Sequence, residues 1–180
     1  MSKILITNKK IKAKEFLYEI PWKYDGMAYN MINSSPTKVI NLNDTSWRKK
    51  LEKEFAEISS LFIAEDLDAS DYEMIGNMKK LRSLYIFSAQ GLISIPFISK
   101  LLSQRNLMIC NSCISDITPI AILIKIQNCD TLVGRLACVA IIKSKISDLK
   151  ALSGIERFSK FILTESLVDE TDSVYRSFAE

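Results

Sequence analysis

Cys110 and Cys113 stand in a Cys-x-x-Cys arrangement, the spacing of half a zinc site or of a redox dithiol. Zinc needs four donors, and no second pair follows: Cys129 and Cys138 are widely spaced and the chain has no histidine. The missing histidine also removes Ser-His-Asp and Cys-His activation of a nucleophile. Glu65, Asp66 and Asp68 are the one crowding of carboxylates that could be imagined as an acid–base pair. They directly follow an aliphatic strand pattern, at a corner where acidic residues are ordinary. The five glycines, at 26, 76, 91, 134 and 154, are scattered and build no phosphate-cradling loop. The chain therefore reads as non-enzymatic, with no cofactor and no metal. The alternative is a small enzyme with its site in the segments outside the repeat described below.

Composition bounds the remaining classes. A chain of 180 residues with 48% apolar content makes one domain with an ample core. Net charge is +3. The densest basic run, Arg48-Lys49-Lys50 with Lys53, is interleaved with Glu52, Glu54 and Glu57 and reads as a solvated helix face, so nucleic acid is not an expected partner. The opening MSKILITNKK has an apolar patch of three residues and no cleavage-site pattern, unlike a signal peptide. No apolar run approaches the roughly 20 residues that span a bilayer. The nearest, 117–126, contains Pro119 and Lys125. Four cysteines suit a reducing compartment. The expected location is the cytoplasm, with no membrane partner.

The elements that would position these residues are organised around Asn106 to Leu123. Leu107 and Ile109 are spaced as in a strand. Ile114, Ile117, Ile120 and Leu123 then recur every third residue, as on one face of a tight helical turn. A strand that turns a corner and returns helically is one coil of a solenoid, and a lone coil cannot bury its inner face. Copies lie on both sides: Ile58-x-x-Leu61-x-Ile63, Leu81-x-x-Leu84-x-Ile86, Leu136-x-x-Val139-x-Ile141 and Phe158-x-x-Phe161-x-Leu163. The steps from 61 to 84 and from 84 to 107 are 23 residues, from 107 to 139 is 32, and from 139 to 161 is 22.

With ISDITPI (114–120) and ISDLKAL (146–152), this pattern resembles the bacterial leucine-rich repeat of the internalin type, in degenerate form, over residues 58–168. The resemblance implies an α/β leucine-rich repeat solenoid, with short parallel strands on one face and helices or 3-10 turns on the other. It also implies a protein-binding role without naming the partner. The family places an asparagine three residues after the second strand aliphatic. Here those positions hold Asp66, Ala89, Ser112, Ser144 and Ser166. Serine and aspartate can bond backbone locally and Ala89 cannot, so the second coil is expected to be the least regular.

Residues 1–45 form a non-repeat segment, with strand candidates at Ile4-Leu5-Ile6 and Val39-Ile40. Residues 46–57 read as a capping helix, with Trp47, Leu51, Phe55 and Ile58 on one face sealing the first coil. The first coil returns through a helix near 71–79, opened by a Ser70-to-Glu73 capping box. The second returns through Leu92, Ile95, Ile98 and Leu101, with Pro96 in a first helical turn, and Leu101 or Leu102 standing in for an aliphatic where Gln104 lies. The third opens with Thr118 as cap and Pro119 at the first helical position. The stretch 124–135 is irregular, and Cys129-Asp130-Thr131 is read as an extra short strand in preference to a loop insertion. The fourth coil returns through Ile146, Leu149 and Leu152, and 169–180 forms a closing helix.

Alternation places Phe62, Tyr85, Met108, Ala140 and Ile162 in one outward row of the strands, and Ala64, Phe87, Cys110, Ile142 and Thr164 in the next. None is charged, where a solvated sheet face should carry charge. The face is expected to be covered, by a protein partner docking on Phe62, Tyr85, Phe87, Met108, Ile142 and Ile162, by a second copy in a face-to-face homodimer, or by residues 1–45 folding across it. Deleting 1–45 is the natural way to tell these apart. Small size and cytosolic character point, within the partner reading, to an immunity-type or regulatory protein that occludes a toxin or enzyme.

Overall fold

The structure is a computed structural model that describes residues 2–16, 36–129, 136–155, 160–169 and 172–174. It is a mixed α/β protein built on one seven-stranded sheet. The strands are β1 (Ser2–Thr7), β2 (Lys38–Asn41), β3 (Ile58–Ile63), β4 (Ser83–Ile86), β5 (Asn106–Cys110), β6 (Cys138–Ile142) and β7 (Lys160–Thr164). Their spatial order is β2-β1-β3-β4-β5-β6-β7, and every pairing is parallel.

The repeat spacing translates directly into register. Leu61 lies beside Leu84, Leu84 beside Leu107, Leu107 beside Val139 and Val139 beside Phe161. Parallel strands cannot be joined by hairpins, so each must be returned by a crossover, and these pack on the face carrying Leu61, Leu84, Leu107 and Val139. The crossovers are the helix Ala69–Ile75 after β3, a 3-10 turn at Pro96–Lys100 after β4, the helix Thr118–Cys129 after β5, and a 3-10 turn at Lys150–Leu152 after β6. Ile95, Ile98 and Leu101, then Ile114, Ile117, Ile120 and Leu123, then Ile146, Leu149 and Leu152 are all buried there. The capping box is not formed: the 69–75 helix starts from Asp68 with no side-chain cap.

Two readings from sequence are corrected. The N-terminal segment supplies β1 and β2, which extend the sheet past β3. The helix Trp47–Glu54 is thus the crossover from β2 to β3, buried through Trp47 and Leu51, and not a seal on an open end. Among the described residues, the 32-residue step holds no extra strand: Cys129 is helical, and Asp130 and Thr131 lie outside the described residues. The helix begun at Thr118 runs on through Cys129, and β5 pairs directly with β6. Ala89 is wholly buried and bridges to Ser112, and β4, at four residues, is the shortest strand of the repeat. Of the proposed closing helix 169–180, Ser173 and Val174 are helical, Asp169 and Asp172 are not, and the rest lies outside the described residues, as does Phe158.

Buried polar groups tie the coils together. Gln127, on the long helix, donates from Nε2 to the Leu102 and Gln104 carbonyls at 2.8 and 2.9 Å, and its Oε1 accepts the Leu136 amide at 2.7 Å. One side chain thereby joins the preceding coil to the start of the next. Gln104 is itself wholly buried and donates to the Asn106 carbonyl, while Leu101 takes the apolar place beside it. Arg48 forms a two-pronged pair with buried Asp71, at 2.5 and 2.8 Å, and lies over the Trp47 ring. That pair locks the 47–54 crossover to the 69–75 helix.

Gln127→Leu leaves two carbonyls and one amide of that junction without partners, and should cost about 2–4 kcal/mol. A urea titration should show a lower midpoint at unchanged slope. A second prediction concerns acid. The Lys50 ammonium, then the Ser46 hydroxyl and amide, hold Asp44 well below the usual carboxylate range, and bonds from Thr118 lower Asp116. A carboxylate depressed in the folded state stabilises fully above its unfolded pKa of about 4, and that contribution is lost as pH falls toward the folded value. Asp44→Asn should therefore flatten the decline in urea midpoint between about pH 5 and about pH 2.

Candidate functional site

The charge-free face has its own apolar cluster, separate from the crossover side. Leu5, Phe62, Tyr85, Met108, Cys110, Ala140 and Ile142 form it together with Ala13 and Phe16. The outward rows therefore lie where alternation puts them. Phe62 stacks on Tyr85 at 5.1 Å between ring centroids and an interplanar angle of 9°, as residues side by side on β3 and β4. Tyr85 in turn stacks on Phe87, two residues along β4, at 6.4 Å. The aromatic strip rests on strand pairing, because identical register brings every second residue into line across the sheet.

This face is covered within the chain. Ala13–Phe16 forms a single helical turn, and the Phe16 ring meets Phe87 edge-on at 5.3 Å. Ile11 packs against the same cluster. Phe62, Tyr85, Met108 and Ile142 are 0%, 1%, 2% and 2% exposed, so these four of the six partner-binding candidates are core as the chain stands. Their burial has a plain cause: both faces of a parallel sheet must be covered, and the segment following β1 crosses to the side that the other crossovers leave bare. Phe87 and Ile162, the remaining two, are half-buried, as are Val39 and Ala64. Deleting 1–45 is not a clean test of the cover, because β1 lies between β2 and β3 and would be lost with it.

The residues weighed for chemistry separate. Cys110 is buried in the outward cluster and Cys113 lies beyond the corner; none of the four cysteines is joined in a disulfide. Among the described residues, no group of His, Cys, Asp and Glu side chains is placed to hold a metal. Asp66 accepts the Gly91 amide, joining the first corner to the second. A Cβ on Gly91 would stand 2.9 Å from Asp66 Oδ2, so a side chain there would push this carboxylate aside. Of the other corner positions, Ser166 bonds the Val168 amide, whereas the buried hydroxyls of Ser112 and Ser144 have no partner. Among the described residues, no helix is long and apolar enough to cross a membrane.

Sequence reasoning missed the corners that follow β5, β6 and β7. Asn111, Lys143 and Glu165 take the left-handed conformation there, at φ of 51°, 56° and 53°. Each is the first residue past its strand, so the turn recurs with the repeat. Only Asn111 is a residue type that tolerates it readily, which is why composition carried no signal.

No model of a known protein family matches the chain, and no curated protein matches it.

Phe16→Asp should uncover the aromatic strip at about 2–4 kcal/mol of stability. Fluorescence of a hydrophobic dye should rise with the variant under conditions where far-ultraviolet dichroism still reports a folded sheet. Unchanged dye binding in a stable variant would mean that Phe16 does not close the face.

Proposed function

We propose that this chain is a non-enzymatic protein-binding module on an internalin-like leucine-rich repeat scaffold, and that its partner docks on the strand face. The repeat reading is supported by the steps of 23, 23, 32 and 22 residues, which align five strands in a single register. One observation carries the binding reading. The strand face is uncharged and largely roofed by a short segment of the same chain, yet leaves Phe87 and Ile162 partly open to solvent. Half-open aromatic and aliphatic residues on a rigid, flat floor are what interface anchors are built from. Phe62, Tyr85, Met108 and Ile142 serve as that floor, not as contact residues. In its most pointed form the module is an immunity-type or regulatory protein whose partner is a toxin or enzyme that it occludes. A second copy of this chain is the competing occupant.

Light scattering at two concentrations addresses the second copy: a 20.4 kDa species at both removes the homodimer. Capture of proteins from cells of the source with immobilised chain then addresses the partner. Ile162→Asp places a charge on the open part of the face without burying it, and should abolish capture of a partner retained by the unaltered chain, at a stability cost under about 1 kcal/mol. Equal capture by both would place the interface elsewhere. Tyr85→Asp and Met108→Asp are unsuitable, because a charge at either wholly enclosed position would unfold the protein.

A further inference from the structure

The corners that follow β5 and β6 enclose a groove of about 460 Å³, lined by Asn111, Ser112, Cys113, Lys143, Ser144 and Lys145. From it we infer a docking groove for an acidic peptide segment of a protein partner, one that receives carboxylate side chains. The inference rests on the reading of this chain as a protein-binding module and concerns the strand ends, not the sheet face.

Three features of the groove set the chemistry of its occupant. First, its charge is of one sign. Lys143 and Lys145 are exposed, neither has an ion-pair partner among the described residues, and no described Asp or Glu lines the groove. Two cations two positions apart, with no described carboxylate lining the groove, attract an anion. Second, Ser112 and Ser144 are 7% and 8% exposed, and their hydroxyls bond to nothing in the protein. Two such groups in neighbouring coils of one groove are uncompensated donors, a cost that an acceptor brought by a ligand would remove. Third, the backbone is already used. The amides of Asn111, Ser112, Lys143 and Ser144 donate to the Ile142, Lys143, Thr164 and Glu165 carbonyls. Recognition must therefore come from side chains, and lysine ammonium and serine hydroxyl groups are donors that suit carboxylate oxygens.

An extended peptide fits better than a free ion. The repeat sets equivalent residues of neighbouring strands about 4.8 Å apart. The left-handed turns at Asn111 and Lys143 recur at that interval, so donors repeat along the groove instead of converging on one point. The groove spans the step from β5 to β6, with a serine at each corner and both lysines at the second, so neighbouring acidic side chains of an extended peptide can engage both corners at once.

Half-exposed Cys113 provides the readout and exposed Cys129, on the long helix, the control. The whole chain is alkylated with iodoacetamide, and modification at each cysteine is followed by mass spectrometry with hexaglutamate, hexaglutamine or inorganic phosphate present. Hexaglutamate should slow modification of Cys113 saturably and leave Cys129 unchanged. The protection should weaken as salt is raised, and Lys143→Glu with Lys145→Glu should weaken peptide binding by roughly tenfold or more. The pair Lys143→Gln with Lys145→Gln serves if the reversed charges prevent folding. No protection by hexaglutamate, equal protection by hexaglutamine, or protection undiminished in the lysine variants would overturn the proposal. Protection by phosphate as strong as by the peptide would also overturn it, making the groove a site for free anions. Failure here with capture through Ile162 intact would remove the groove alone; peptide protection without that capture would remove the sheet-face reading alone.

Discussion

The structure depends on one constraint: a parallel sheet cannot close on itself through hairpins, and both its faces must leave water. The first condition forces a crossover after every strand. The second forces something to lie on the face those crossovers do not use. Both are visible in the core. Leu61, Leu84, Leu107 and Val139 meet the crossovers on one side, while Phe62, Tyr85, Met108 and Ala140 meet Phe16 and Ala13 on the other. A one-residue slip of any strand would exchange these two sets, which is why the register is held across the repeat strands.

The crossovers differ in length, and the sheet absorbs the differences without losing alignment. Among the described residues, a 3-10 turn of three residues stands between β6 and β7 and twelve helical residues between β5 and β6. The longer route brings a polar side chain, Gln127, into the interior. Every donor and acceptor it uses is matched by a backbone group, so its burial fixes the join between coils instead of weakening it. Gln127 is fully satisfied there, whereas Gln104 Oε1 beside it and the Ser112 and Ser144 hydroxyls past the strand ends have no partner.

The register, the inward and outward rows, and the buried aliphatics of the returns at 92–101, 114–123 and 146–152 were legible from residue types alone. Each is a local consequence of period: two for a strand, about three for its return. The demand that the uncharged rows be covered was also legible, because uncharged residues at alternating positions have no place on a solvated sheet. The errors arose where a pattern had more than one structural solution. Counting from Leu107 reached Cys129 and suggested a strand, but the same residues extend a helix already begun at Thr118. Trp47 and Leu51 form the same amphipathic stripe whether a helix seals an end or crosses between strands.

What the sequence by itself determined is the list of residues that face each side of the sheet, since alternation is set by covalent geometry and apolarity by side-chain type. What only the tertiary structure decided is which strands are neighbours and what lies over the second face. Ile4–Ile6 and Val39–Ile40 read as strands, but β1 and β2 insert beside β3 through main-chain bonds that every residue can make, so no side-chain pattern announces that placement. Phe16 meets Phe87 from 71 positions away in the chain, a contact that exists only once the sheet has formed. That contact turned four apparent surface anchors into core and left Phe87 and Ile162 as the part of the face still open.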